Sequence, residues 1–135
     1  MNDCLFCNII NKQMPANIIY EDEWTMALLD ISPVTVGHTL VIPKKHSNDL
    51  ISTDEDMLTR VSHTRKRVAL LLKNKLKPKG FNFTSNNGSE AFQVVFHYHE
   101  HIIPKYEKEL GLIYKLNKDG TEKKPLTEVL KIITK

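Results

Sequence analysis

The sequence predicts an α+β fold, an antiparallel meander with helices packed on one side of the sheet. Three observations carry that prediction. Short β-branched and aromatic runs cluster early and late in the chain. One long stripe of apolar residues at helical spacing separates the two groups. The connections between neighbouring runs are of hairpin length, which antiparallel strands permit and parallel strands do not.

Leu5, Phe6, Ile9 and Ile10 recur at helical spacing and predict a short N-terminal helix, ended near Pro15. Residues 18–20 and 25–29 are apolar runs joined by the charged turn Glu21-Asp22-Glu23, which predicts a pair of strands. Ser32-Pro33 breaks the chain and Gly37 marks a turn. Residues 38–42 form the next strand, stopped by Pro43. Ser52-Thr53 ahead of Glu55 and Asp56 resembles a helix-capping signal. From there Leu58, Val61, Val68, Leu71 and Leu72 mark one face of a long helix over residues 53–76, closed by Lys77-Pro78-Lys79-Gly80. Residues 81–84 read as a strand, 85–90 as a polar loop and 93–103 as the last strand. Residues 125–133 predict a short helix with Leu126, Val129, Leu130 and Ile133 on one face. No repeat, low-complexity segment or long linker divides the chain, so residues 1–135 read as one domain.

A chain of 135 residues can bury a core without disulfides. Its hydrophobic fraction of 41% and charged fraction of 26% are those of an ordinary globular protein. No apolar run is long enough to span a bilayer, and no basic segment followed by an apolar one opens the chain. A cytoplasmic location without a membrane partner is the expectation. The net charge of +3 reflects bases gathered on the long helix and toward the C-terminus. No aromatic-interleaved basic patch is present, which argues against nucleic acid as a partner. The two cysteines, Cys4 and Cys7, stand at C-x-x-C spacing. A reducing compartment disfavours a disulfide. A redox pair usually follows a strand and opens a helix, whereas this pair sits at the extreme N-terminus. The third option is half a zinc site that histidines complete.

His97-Tyr98-His99-Glu100-His101 places three of the six histidines at i, i+2, i+4. On a strand that period aims all three at one face. Imidazoles gathered at one spot serve as base, acid, nucleophile or metal ligand. From the triplet alone, catalysis and a three-histidine metal site stand level.

Residues 86–105, from Asn86-Asn87-Gly88 to His97-Tyr98-His99-Glu100-His101-Ile102-Ile103-Pro104-Lys105, resemble the signature of the histidine triad (HIT) family. Leu29-Asp30-Ile31-Ser32-Pro33 and Gly37-His38-Thr39-Leu40-Val41-Ile42-Pro43-Lys44-Lys45-His46 resemble its two other motifs, in the same order. The likeness runs from Cys4 to Lys105 and points to the bacterial Hint-like nucleotide-binding branch. It implies a HIT-like sheet of about five strands with a long helix and a short N-terminal one, continued across a homodimer. Residues 106–135 correspond to a tail that differs among relatives.

The resemblance implies a hydrolase acting at the α-phosphate of purine nucleoside 5′-phosphoramidates, or of related nucleotide esters and anhydrides. The route would be a covalent nucleotidyl-histidine. His99 matches the nucleophile, His101 the donor to the phosphoryl oxygens, and His38 the histidine that supports them. For an AMP-type substrate, Asp30 matches the acid on the ribose hydroxyls. Asn86 and Gln93 match positions reaching the phosphate. Leu5, Phe6, Ile9, Leu28 and Ile31 match an apolar slot for the base, with plain core the other reading for Leu5 and Ile9. Cys4, Cys7, His46 and His97 match a zinc site whose four protein ligands leave no open position, hence structural zinc. No organic cofactor is implied. A dinucleoside polyphosphate hydrolase or nucleotidyl transferase would use the same nucleophile. A zinc-stabilised, dimeric nucleotide-binding or interaction module is the non-enzymatic alternative. Phe92 stands where relatives usually carry glycine, and Val94 where some carry serine; both bear on rate and substrate range.

Overall fold

A computed structural model describes residues 3–135; Met1 and Asn2, the start of the expected domain, lie outside it. Five antiparallel strands form one sheet: β1 (Ile18–Glu21), β2 (Thr25–Leu29), β3 (Thr39–Pro43), β4 (Gly80–Thr84) and β5 (Glu100–Lys105). Three helices accompany them: α1 (Leu5–Ile10), α2 (Glu55–Leu76) and α3 (Leu126–Thr134). The strand order is β1-β2-β3-β5-β4. The first three strands are a plain meander. α2 then carries the chain to the far edge, and β5 returns between β3 and β4.

Asp22 makes the first turn tight. Its Oδ1 accepts the N–H groups of Trp24 (2.8 Å) and Thr25 (2.7 Å), so the acidic turn is a built hairpin connection. α2 begins one residue later than the Ser-Thr signal suggests. Asp54 is its cap, with Oδ1 accepting the Met57 N–H at 2.8 Å. Lys77 ends it in the left-handed region (φ 53°), and Pro78 prevents continuation.

Strand period two sorts the core into two clusters. Met26, Leu28, Leu40 and Ile42 pack with Phe6 and Ile9 of α1. Ala27, Val41 and Ile102 pack with Val61, Val68 and Leu72 of α2. The two helices therefore cover opposite faces, not one side as the sequence suggests. α1 is too short to cover its whole face, and an open cleft remains beside it. The register carries this division into β5. Leu40 lies opposite Leu28 and His101, whereas Val41 lies opposite Ala27 and Glu100. His101 thus faces the cleft and Glu100 faces α2.

The last strand is shorter than expected: β5 begins at Glu100, not near residue 93. Pro43 has no N–H with which to extend the β3 ladder. The chain before Glu100 bonds elsewhere, with the Tyr98 N–H donating to the Ser47 carbonyl at 2.8 Å. Residues 106–112 fold around the Lys105 ammonium, which donates to the carbonyls of Lys108, Leu110 and Leu112. α3 exposes Leu126, Leu130, Ile132 and Ile133. No helix among the described residues is long and apolar enough to cross a membrane.

Candidate active site and metal-ligand cluster

Two constellations share the α1 face of the sheet. The first gathers the N-terminus of α1, the end of β3 and the approach to β5. The Cys4 Sγ lies 3.4 Å from His97 Nδ1. The Cys7 Sγ lies 3.4 Å from His46 Nδ1 and 3.6 Å from His97 Nδ1. The two Nδ1 atoms are 3.1 Å apart. Ligands at zinc's ordinary bond lengths and tetrahedral angles would stand about 3.5 Å apart, S to N, and about 3.4 Å, N to N. The observed edges match that shell. The imidazoles are also oriented for it. His97 Nε2 donates to the Pro43 carbonyl at 2.8 Å, and His46 Nε2 lies 3.3 Å from Asn48 Oδ1. Both partners fix the proton on Nε2 and leave the Nδ1 lone pair facing the thiols. Burial lowers His97 to about 4, so its imidazole is neutral, as a ligand must be. Burial, reinforced by Cys4 beside it, pushes the Cys7 thiol up to about 11; a divalent cation would reverse that and draw out the thiolate. The four residues are a fit for one metal ion.

The second constellation is the floor of a cleft of about 620 Å³ beside α1. His99 is 9% exposed and its Nδ1 donates to the His97 carbonyl at 2.7 Å. A carbonyl can only accept, so the proton sits on Nδ1 and the lone pair on Nε2. The edge of Phe6 packs on this ring, with centroids 5.1 Å apart. His101 stands next to it, centroids also 5.1 Å apart. Its tautomer is the opposite one. The Val34 N–H donates to His38 Nδ1 at 3.2 Å, which leaves the His38 proton on Nε2. His38 Nε2 donates to His101 Nδ1 at 2.9 Å, so His101 carries its own proton on Nε2. One imidazole therefore presents a nucleophilic lone pair and its neighbour a hydrogen-bond donor.

Asp30 Oδ2 lies 3.5 Å from His38 Nε2, and its Oδ1 accepts the Ser32 N–H at 2.8 Å. Burial lowers His38, against the upward pull of Asp30, so the imidazole is neutral and this close approach is not an ion pair. Burial and the neighbouring His99 and His38 lower His101 to about 4. Asp30, His38 and His101 also lie close enough to chelate a cation. Val34 argues against that use: metal on Nε2 of His38 would require imidazolate while Nδ1 accepts the N–H.

The expected site residues are largely brought together. Phe6, Leu28 and Asp30 line one flank of the cleft, with Ile31 at its mouth. Asn86, Phe92 and Val94 line the other. Gln93 is the exception. It is buried, its Oε1 accepts the Gly88 N–H at 2.8 Å, and its Nε2 donates to the carbonyls of Asn48 and Val95. Its own N–H donates to the Gly88 carbonyl. Gln93 braces the 86–95 loop and does not line the cleft. Leu40 also lines the cleft, as strand alternation from Ile42 would have indicated. Met14 and Ala16 line it as well, and nothing in their local pattern signals that.

The fold and site define a protein that holds two adjacent imidazoles of opposite tautomer on the floor of a largely apolar cleft. The HIT domain profile matches residues 11–108, and the chain belongs to the HIT family. It is 39% identical to Protein hit of Bacillus subtilis over 135 residues, 98% of this chain and 93% of that one. A crystal structure of a HIT family member from Bacillus subtilis superposes with a TM-score of 0.85 at 39% identity, covering 98% and 95% of the two chains. A histidine triad nucleotide-binding protein from Candida albicans gives 0.83 at 32% identity, covering 97% and 92%. A zinc-bound histidine triad family protein from Mycobacterium smegmatis gives 0.77 at 38% identity, covering 87% and 86%.

Proposed function

We propose that this protein is a hydrolase that cleaves purine nucleoside 5′-phosphoramidates, or related nucleotide esters and anhydrides, at the α-phosphate. The observation that carries the reading is the Nδ1 contact of His99 with the His97 carbonyl, which leaves the Nε2 lone pair free in the cleft. That lone pair attacks phosphorus and forms a nucleotidyl-histidine. Splitting one displacement into two is the gain from covalent catalysis. His101, polarised through His38, donates from Nε2 to a phosphoryl oxygen as charge develops there. Asn86 adds an amide on the loop flank. Asp30 takes the ribose hydroxyls, and Phe6, Leu28 and Ile31 pack the base. Water then attacks phosphorus from the open side and releases the nucleoside monophosphate.

Cys4, Cys7, His46 and His97 hold a structural zinc ion in this reading. The ion would tie α1 to the segment carrying His99 and take no part in the chemistry. The resemblance to a homodimer is supported by the outer edge of β4, where exposed Phe83 lies beside exposed Leu70 of α2. A second copy pairing there would continue the sheet.

The test is mass spectrometry of protein mixed with an AMP phosphoramidate and quenched early. The native protein should carry an AMP adduct on His99 and release AMP without added divalent metal. His99→Ala should fold and bind AMP, yet form no adduct and at least about 10³-fold less product. Full turnover by that variant would defeat the proposal.

A further inference from the structure

On the reading that His99 attacks phosphorus, we propose that Phe92 and Val94 form an apolar subsite for the displaced group, so the preferred substrates are nucleotide amides or esters with an uncharged, apolar leaving group. His99 is on the floor at 9% exposure, whereas Ile31, Phe92 and Val94 stand at the mouth at 87%, 82% and 84%. In-line displacement expels the leaving group away from the attacking atom, from the floor toward the mouth. The base and ribose occupy the flank of Phe6, Leu28 and Asp30. The departing group therefore passes along the opposite flank, over Phe92 and Val94.

Two apolar side chains exposed at one opening are a surface that loses water when an apolar group lies on it. Phe92 is held there by its backbone. It closes the 3-10 turn Ser89–Ala91 in the left-handed region, φ 70°, which disfavours residues other than glycine. The Phe92 N–H donates to the Ser89 carbonyl at 3.0 Å, and the Asn86 amide donates to the Phe92 carbonyl at 3.3 Å. The strained residue is thus fixed at both peptide groups, with its ring left in solvent.

Charge narrows the class further. Among the described residues lining the cleft there is no Lys or Arg. The extra phosphates of a dinucleoside polyphosphate would meet no counter-charge at the mouth. A cationic amine fares no better, because Asp30 is the sole carboxylate there and is engaged by Ser32 and His38. In the step itself, the His99 Nε2–P bond forms and the P–N bond breaks with its electron pair going to nitrogen. That nitrogen takes a proton from water at the open mouth, and the amine leaves neutral before equilibrating with solvent. Water then cleaves the Nε2–P bond, releasing AMP and a proton.

The experiment compares kcat/KM for the AMP phosphoramidates of phenethylamine and ethanolamine, two amines of similar basicity, with diadenosine tetraphosphate as a third substrate. The native protein should favour the phenethyl amide about tenfold or more, with the tetraphosphate slowest. In Phe92→Gly/Val94→Ser that ratio should fall to about two or below. Phe92→Gly alone, which relieves the left-handed backbone, supplies the same readout if the double variant does not fold. Equal rates for the two amides in the native protein, or a ratio unchanged in the variants, would overturn the subsite while leaving the His99 adduct intact. No adduct with either amide would overturn the hydrolase reading and the subsite with it.

Discussion

At the scale of single residues, the two imidazoles on the cleft floor differ by tautomer. His99 and His101 are adjacent in space and identical in type, yet different partners leave a lone pair on one Nε2 and a proton on the other. None of those partners was legible in the sequence. The His97 carbonyl and the Val34 N–H belong to a backbone path that only the fold defines. What was legible was the spacing that brought the imidazoles to one face. A pH dependence follows from burial. His101 falls from 6.5 to about 4 in the folded protein, so the unfolded chain binds its proton first as the solution is acidified. Its contribution to stability is complete above about pH 6.5 and is lost as pH drops toward 4. Urea unfolding midpoints across that interval should therefore decline. In His101→Gln they should decline less steeply. A slope unchanged in the variant would place the acid sensitivity elsewhere.

At the scale of the element, β5 is a two-faced strand with an abrupt beginning. Glu100, its first residue, is buried against α2. Its Oε1 accepts from Arg65 Nη1 at 2.8 Å and its Oε2 from the Tyr98 hydroxyl at 2.7 Å. His99 precedes the sheet ladder, so this clamp on both of its neighbours holds the backbone that the ladder does not. The alternation Tyr98, Glu100 against His97, His99, His101 was readable from period two. The point where the strand starts was not, because Pro43 and Ser47 decide it from another part of the chain. Arg65→Met leaves the Glu100 charge buried and should cost about 2–3 kcal/mol in denaturant unfolding, part of the range for broken buried pairs because Arg65 is partly exposed. The double variant Arg65→Met/Glu100→Met should recover at least about 1 kcal/mol of that loss. If the two substitutions simply add, the clamp is not a coupled unit.

At the scale of the whole molecule, the metal-ligand cluster joins three parts of the chain far apart in sequence: the cap of α1, the turn after β3 and the approach to β5. With free zinc a hundredfold above its Kd, ligation would add about 2.7 kcal/mol, or roughly 8 °C in Tm for a chain of this size. Chelation of the native protein, and Cys7→Ser with or without zinc, should show that lower Tm. A native protein indifferent to chelator, with no zinc by elemental analysis, would remove the structural role. The proposed homodimer belongs to this scale too. Light scattering should give twice the chain mass, and Phe83→Lys at the β4 edge should shift it toward the monomer. The C-x-x-C pair and His46 were legible as ligand types, and their convergence came with the family resemblance. The opposed placement of α1 and α2 was not legible, since helical periodicity names a buried face without saying which side of a sheet it covers. The same two-sided strand sets a limit on how this chain can change over time. Deleting or inserting one residue between positions 97 and 101 would exchange the faces. The imidazoles on the two sides of the change would no longer share a face, so this segment does not tolerate a change in length.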